Sequence, residues 1–297
     1  EIAVSWAILS LLVLGLNLEY GFTGIINFGH LAFFLVGGYV FAVISGDPAT
    51  AVGLNQHWLV GIIAALVISG VVGGLIAAIT IRLRGDFLAI VTLAALEIML
   101  NIINNFNEIT GGRAGLGNLP SLETIIGNYG ARLLFTLFLF ASIAAFVFTM
   151  ISHITSAPYG RVLRAIKSDE LVTRVLGKNT TIYKLQVFII GSVIAGLGGV
   201  LVVVNNGSIT PDFFSLNETI IVWTGLFIGG AGSNKGVVGG MGIILFIELG
   251  TRYLNQAVSD SILNVIFPAF TFGAFRMILI GLLLIVIVRY RPAGTPT

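Results

Sequence analysis

Apolar runs recur along the whole chain, at 2–18, 30–44, 58–81, 87–103, 133–151, 185–204, 219–228, 237–249 and 277–288. The longer ones match the ~20 residues that a helix needs to cross roughly 30 Å of hydrocarbon. Several, 219–228 among them, are too short to cross alone. Only 9% of the 297 residues are charged and 57% are hydrophobic, whereas a soluble domain carries roughly a quarter charged residues. Lipid offers no partner to a peptide group, so a crossing segment must bond to itself as a helix. All seven prolines (Pro48, Pro120, Pro158, Pro211, Pro268, Pro292 and Pro296) lie outside the runs, as helices require. The expectation is an all-α, polytopic transmembrane helical bundle forming one membrane domain over 1–297.

The formal net charge of +2 does not point to nucleic acid, because the basic residues sit in short loops between apolar runs, where topology explains them. Arg82 with Arg84, the loop carrying Arg161, Arg164, Lys167, Arg174, Lys178 and Lys184, and the tail with Arg289 and Arg291 define the cytoplasmic side. The segments 46–57, 104–132, 205–217 and 251–275 then fall outside, together with Glu1, so a further helix upstream of Glu1 is expected. The first run lacks a basic leader and an A-x-A-like cleavage site, and reads as a span rather than a cleavable signal. There is no cysteine, which excludes disulfides, thiolate metal sites and thiol nucleophiles.

Glycines spaced four apart, Gly70 with Gly74, Gly225 with Gly229 and Gly236 with Gly240, read as close helix packing in lipid. Two glycine-rich interruptions stand apart, at 21–29 and 229–236, one in each half. Such pairs mark broken or re-entrant helices around a translocation path, since irregular backbone at membrane depth must face protein or water. An inverted repeat is expected to relate them.

The cytoplasmic loop is the most informative stretch. In 168–177, Ser168 is placed to cap a short helix, Asp169 and Glu170 favour its positive N-terminus, and Gly177 suits its end. Leu171, Val172, Val175 and Leu176 would give that helix an apolar side able to enter a groove. On the residues alone, a docking helix and a solvated positive-inside loop stand equal. The pattern resembles the coupling loop of ABC importer permeases, which inserts into a separate ATPase subunit.

The same likeness extends over nearly the whole chain. The stretches 16–30 (LNLEYGFTGIINFGH) and 82–93 (RLRGDFLAIVTL), with Glu97-Ile98 and Thr110-Gly-Gly112, resemble the LivM-type permease of the branched-chain amino acid ABC transporter family. The resemblance implies an ABC importer permease paired with a LivH-type permease, two cytoplasmic ATPases and an extracytoplasmic binding protein, in a prokaryotic inner membrane. It also implies a coupling loop at 156–180, in which Asp169, Glu170, Leu171, Arg174, Leu176 and Gly177 would face the ATPase. Glu19 departs from the family, where an apolar residue is expected. No G-x-x-x-x-G-K-[ST] pattern occurs, since Gly232-Ser-Asn-Lys235 lacks the spacing. ATP and magnesium therefore belong to partner chains, and no cofactor is expected in this one.

Glu97 lies mid-span with Asn101 and Asn104 on nearly one helical face. It reads equally as a group lining the path near a substrate ammonium and as a buried structural carboxylate. His30 either lines the path or bonds a freed carbonyl, and Thr23, Asn27 and Thr92 are further path candidates, each explained as well by bonding helix backbone. The three histidines lie in different segments and do not make a metal site. Glu248 and Arg252 are spaced as a local ion pair. An autonomous secondary transporter is disfavoured because no acidic relay accompanies Glu97, and an intramembrane enzyme because no nucleophile–base set or zinc motif appears. Neutral aliphatic amino acids are the expected substrates, with urea or short amides the alternative.

Overall fold

In a computed structural model, the residues described are 2–47, 53–83, 85–122 and 129–259, with scattered positions at 278, 281–283, 285, 286 and 289; the side chains of 252 and 254–259 are excepted. Helix α1 (Ile2–Leu16) continues into a π-helical stretch (Asn17–Phe22) and is followed by α2 (His30–Ser45), α3 (Trp58–Thr80), α4 (Asp86–Asn105) and the short α5 (Asn107–Thr110). Then come α6 (Tyr129–Ser156), α7 (Pro158–Ser168), α8 (Glu170–Val175), α9 (Thr180–Asn206), α10 (Leu216–Gly229) and α11 (Asn234–Ser259).

Five of these stretches are long and apolar enough to cross a membrane: Ile2–Phe22, α3, α4, α6 and α9. By contrast, α2 has 16 residues and α10 has 14. These reach about 24 and 21 Å, short of the roughly 30 Å of hydrocarbon. Both adjoin the glycine-rich interruptions, so the breaks expected from sequence are real breaks between helices. Of the expected span 277–288, only positions 278, 281–283, 285 and 286 are among the described residues.

Burial separates a centre from a periphery. The most apolar windows of Ile2–Phe22 and α9 are 72% buried, against 28% for α3 and 22% for α4 and α6. The central helices approach at backbone distance: a Cβ on Gly37 of α2 would lie 2.3 Å from the Gly196 carbonyl oxygen of α9. The pairs Gly225/Gly229 and Gly236/Gly240 face one another, a Cβ on Gly229 falling 2.2 Å from Gly236 O and one on Gly240 falling 2.4 Å from Gly225 O. Small residues thus draw α10 and α11 into a tight hairpin, as expected for packing in lipid.

The loops assigned outside meet one another. Leu116 and Ile209 form an antiparallel bridge and Leu119 N donates to Gly207 O at 2.9 Å, joining the 104–132 and 205–217 segments. At the other end, Arg164 of α7 donates to Thr155 O at 3.1 Å, tying the basic loop to the end of α6.

Candidate functional site

The first break is built around Glu19, which lies at 0% exposure in the π-helical stretch. Asn27 Nδ2 donates to Glu19 Oε2 at 2.8 Å, and His30 Nδ1 stands 3.3 Å from Glu19 Oε1. Thr23 Oγ1 donates to the Glu19 carbonyl. Asn27 and His30 are themselves buried, at 0% and 1% exposure. A carboxylate so enclosed forfeits hydration and requires polar partners. The carboxylate's hydrogen bond comes from Asn27 in the irregular segment that follows, which ties the break to the carboxylate, while Oε1 has no hydrogen-bond partner among the described residues. Space for it is made across the helix interface: a Cβ on Gly191 of α9 would sit 2.1 Å from Glu19 Oε1.

Four sequence candidates therefore come together. Thr92 of α4 closes the set, its Oγ1 accepting from Phe28 N at 3.1 Å and donating to Ala89 O at 3.0 Å. Thr23 and Thr92 do bond helix backbone. His30 does not bond a freed carbonyl; it pairs with Glu19, and neither ring nitrogen makes a hydrogen bond of good geometry.

Glu97 and Asn101 are elsewhere. The buried side of α4 carries Leu88, Thr92, Leu96 and Ile103, and Glu97 and Asn101, five and nine residues beyond Thr92, point to the opposite side. Both are exposed. Asn101 Nδ2 donates to the Glu97 backbone carbonyl at 2.8 Å, and Asn105 Nδ2 repeats the pattern onto Asn101 O at 2.7 Å. The expected polar stripe exists, flanked by exposed Ile98 and Ile102, but on a separate surface from the break.

The second break, between α10 and α11, meets the first. Asn17 Oδ1 accepts from Gly232 N at 2.8 Å, and Asn17 Nδ2 donates to Asn234 Oδ1 at 2.9 Å. Asn234 Nδ2 reaches Thr155 Oγ1 at 3.1 Å and Ser152 Oγ at 3.3 Å on α6. Tyr20 packs edge-on against Trp223 (centroids 5.0 Å apart) and Phe28 stacks on Trp223 (4.7 Å), so aromatic rings bridge the two breaks as well. Asn17, Glu19, Trp223 and Asn234 were not singled out from sequence as site residues. For Asn17, Glu19 and Asn234 the signal was weak but present, polar groups beside or within the glycine-rich turns; Trp223, inside an apolar run, carried none.

The 169–177 segment forms a helix, α8, with one change from expectation. The capping side chain is Asp169, whose Oδ1 accepts from Val172 N at 3.0 Å; Ser168 is instead the last residue of α7. Glu170 gathers three partners: Lys184 Nζ at 2.6 Å, Thr180 Oγ1 at 3.0 Å and Arg174 Nη2 at 3.1 Å. Burial would raise the Glu170 carboxyl, but the Lys184 bond and charge, Thr180 and Arg174 outweigh it and hold it below its ordinary value. Leu171, Val172, Val175 and Leu176 stand out from the chain at 67%, 53%, 80% and 74% exposure. Gly177 ends the helix at φ +81°. The Glu248–Arg252 pair involves a side chain outside the described residues. Among the described residues, no three histidine, aspartate or glutamate side chains gather as a metal site.

A bundle of apolar helices, interrupted twice and with the interruptions joined inside, is the build of a multi-pass membrane transport protein. The chain belongs to the family described as branched-chain amino acid transport system / permease component, which it matches over residues 1–288. It is 28% identical over 320 residues to the high-affinity branched-chain amino acid transport system permease protein LivM of Salmonella typhimurium, covering 99% of this chain and 69% of that one. The probable branched-chain amino acid transport permease protein LivM of Methanocaldococcus jannaschii is 27% identical over 309 residues, covering 95% and 88%. The Salmonella typhimurium permease LivH is also similar, at 27% over 268 residues and 84% of each chain. No solved structure matches the chain.

Proposed function

We propose that the chain is the LivM-type translocation subunit of an ATP-driven importer for branched-chain and other neutral aliphatic amino acids. In this reading it sits in a prokaryotic inner membrane as one permease domain, paired with a LivH-type permease. Two ATPase subunits bind ATP and magnesium on the cytoplasmic side, and an extracytoplasmic protein delivers the substrate. The observation that carries the proposal is α8. Four large apolar side chains are exposed at 53–80% on a short helix in the basic, water-facing loop, where nothing in a solvated loop would favour them. The Glu170 cluster braces that helix against the start of α9, as a segment that passes force requires.

Alternating access would follow from ATP-driven movement of α8 transmitted to the spans. The candidate path residues divide into the Thr23, Asn27, His30 and Thr92 cluster and the Glu97–Asn101 stripe. The stripe supplies the polar wall of a path or the face toward the partner permease. Replacing Leu171 and Leu176 with Asp places two charges where the ATPase groove is proposed. The expected outcome is loss of ATPase co-purification and of uptake, with the membrane domain still inserted; normal assembly and uptake would overturn the assignment. Titrating the cognate binding protein with aliphatic amino acids and urea tests the substrate, urea binding without amino-acid binding being the contrary result.

A further inference from the structure

Lys167 lies two residues before the α8 cap but turns away from α8. Although the residue as a whole is exposed, its Nζ donates to Gly21 O at 2.8 Å and lies 5.6 Å from the centre of the Tyr20 ring. The backbone explains why that carbonyl is open. Gly24 N bonds Tyr20 O and Ile25 N bonds Glu19 O, both at 3.0 Å, so neither amide returns to Gly21 as the chain turns at Gly24 with φ +75°. An ammonium at the carbonyl end of a helix is favoured by the helix dipole, and the ring face beneath adds a cation–π attraction.

Two further observations make this contact a link between regions. On one side, Asp169 is shared by α7 and α8: its N–H donates to Ala165 O at 3.0 Å and its carbonyl accepts from Thr173 N at 3.1 Å. With Leu163 and Ile166 of α7 buried, movement of α8 is carried along α7. On the other side, Tyr20 packs edge-on against Trp223 and Phe227 (5.0 and 5.7 Å), and Asn17 holds Gly232. The Lys167 contact is thus a polar bond from the 158–177 unit to the place where both breaks meet.

We infer that Lys167 is a positioning residue that ties movement of α8 to the paired helix breaks through Gly21 O and the Tyr20 ring. The inference rests on the ATPase-docking reading of α8. Lys167 is not part of the exposed apolar surface, so its loss separates coupling from docking.

The test uses the complete complex with its ATPases and binding protein in proteoliposomes, measuring uptake and ATP hydrolysis side by side. Lys167→Met, which keeps the stem and removes the donor and charge, lowers uptake by about tenfold or more while hydrolysis and ATPase co-purification stay within about twofold. Lys167→Arg, which can still reach a carbonyl and lie over a ring, restores at least half of the uptake. Normal uptake in Lys167→Met overturns the inference, as does a parallel fall of uptake, hydrolysis and assembly in both variants, which is the mark of a merely structural contact. Should Lys167→Met fail to assemble, Tyr20→Leu decides: uptake falls while hydrolysis persists if the inference holds, and uncoupling is absent if it does not. Failure of the docking reading itself shows differently, as ATPase retained by the Leu171→Asp/Leu176→Asp variant.

Discussion

A carboxylate at 0% exposure in an apolar helix, as at Glu19, depends on what replaces its water: here Asn27 bonds Oε2, while Oε1 sits in the space left by Gly191 beside His30 Nδ1, with no hydrogen bond of good geometry. Glu97 is placed under the opposite condition. It is exposed on α4, no described residue bonds its carboxylate, and exposed Ile98 and Ile102 flank the stripe it shares with Asn101. An ionised carboxylate facing hydrocarbon at mid-depth costs about 2.5–3.5 kcal/mol on insertion scales, so that face is expected to meet water or a partner subunit. Its folding role is correspondingly small. Glu97→Ala is expected to leave the stability of the isolated chain, read by melting, unchanged within about 0.5 kcal/mol, while Glu97→Gln in the complex lowers uptake by removing the charge. A silent Glu97→Gln beside a poorly folded Glu97→Ala would assign the residue to structure instead. At this scale the sequence showed which residues are polar within apolar runs, but not their neighbours. Spacing put Glu97 and Asn101 on one face correctly, whereas the Glu19–Gly191 contact joins residues far apart in sequence and leaves no local pattern.

At the scale of elements, most helices were legible because hydrophobic length and the lack of proline act locally. The expected 30–44 span and the observed α2 differ by one residue at the C-terminus. Ends were less legible. Helix α11 runs to Ser259, well past the expected 249, because hydropathy ends where apolar side chains end, while a helix continues until its backbone bonding is interrupted. The cap of α8 shifted from Ser168 to Asp169 for a related reason: α7 already uses Ser168 as its last turn, so the extended residue that can turn its side chain onto the next amides is Asp169. The bracing of α8 is predicted to depend on pH. The Glu170 carboxyl is held below its ordinary value of 4.5. Its contribution is therefore complete above that value and is lost as pH falls through the lower, folded-state value. The protection of the 170–176 amides, corrected for the intrinsic pH dependence of exchange, should stay constant above the ordinary carboxylate value of 4.5 and fall only below it. Loss of protection already near neutral pH would mean that another group braces the helix.

Across the whole molecule, the central α1, α2 and α9 form a buried axis while α3, α4 and α6 keep most of their surface outside it. That arrangement suits a chain that meets both lipid and a second permease. The two glycine-rich interruptions were visible in the sequence as separate events; their meeting was not, because Asn17 and Gly232 are 215 residues apart and are joined only through tertiary packing. The join is specific: one amide side chain accepts from Gly232 N at 2.8 Å and donates to Asn234 Oδ1 at 2.9 Å, and Asn234 then reaches α6. If the two breaks act as one unit, they are energetically coupled, and a double-mutant cycle measures it. Asn17→Ala strips Gly232 N and Asn234 of a partner inside the fold and is expected to cost about 1–3 kcal/mol; Asn234→Ala should cost a similar amount. Because each single change already breaks the shared bond, the double variant should lose less than the sum, with a coupling of about 0.5–3 kcal/mol. Melting in detergent reads the fold, and uptake by the assembled complex reads the function in the same four proteins. Strict additivity in both readouts would mean that the breaks are independent turns that happen to touch, and the path would then have to open at each of them separately.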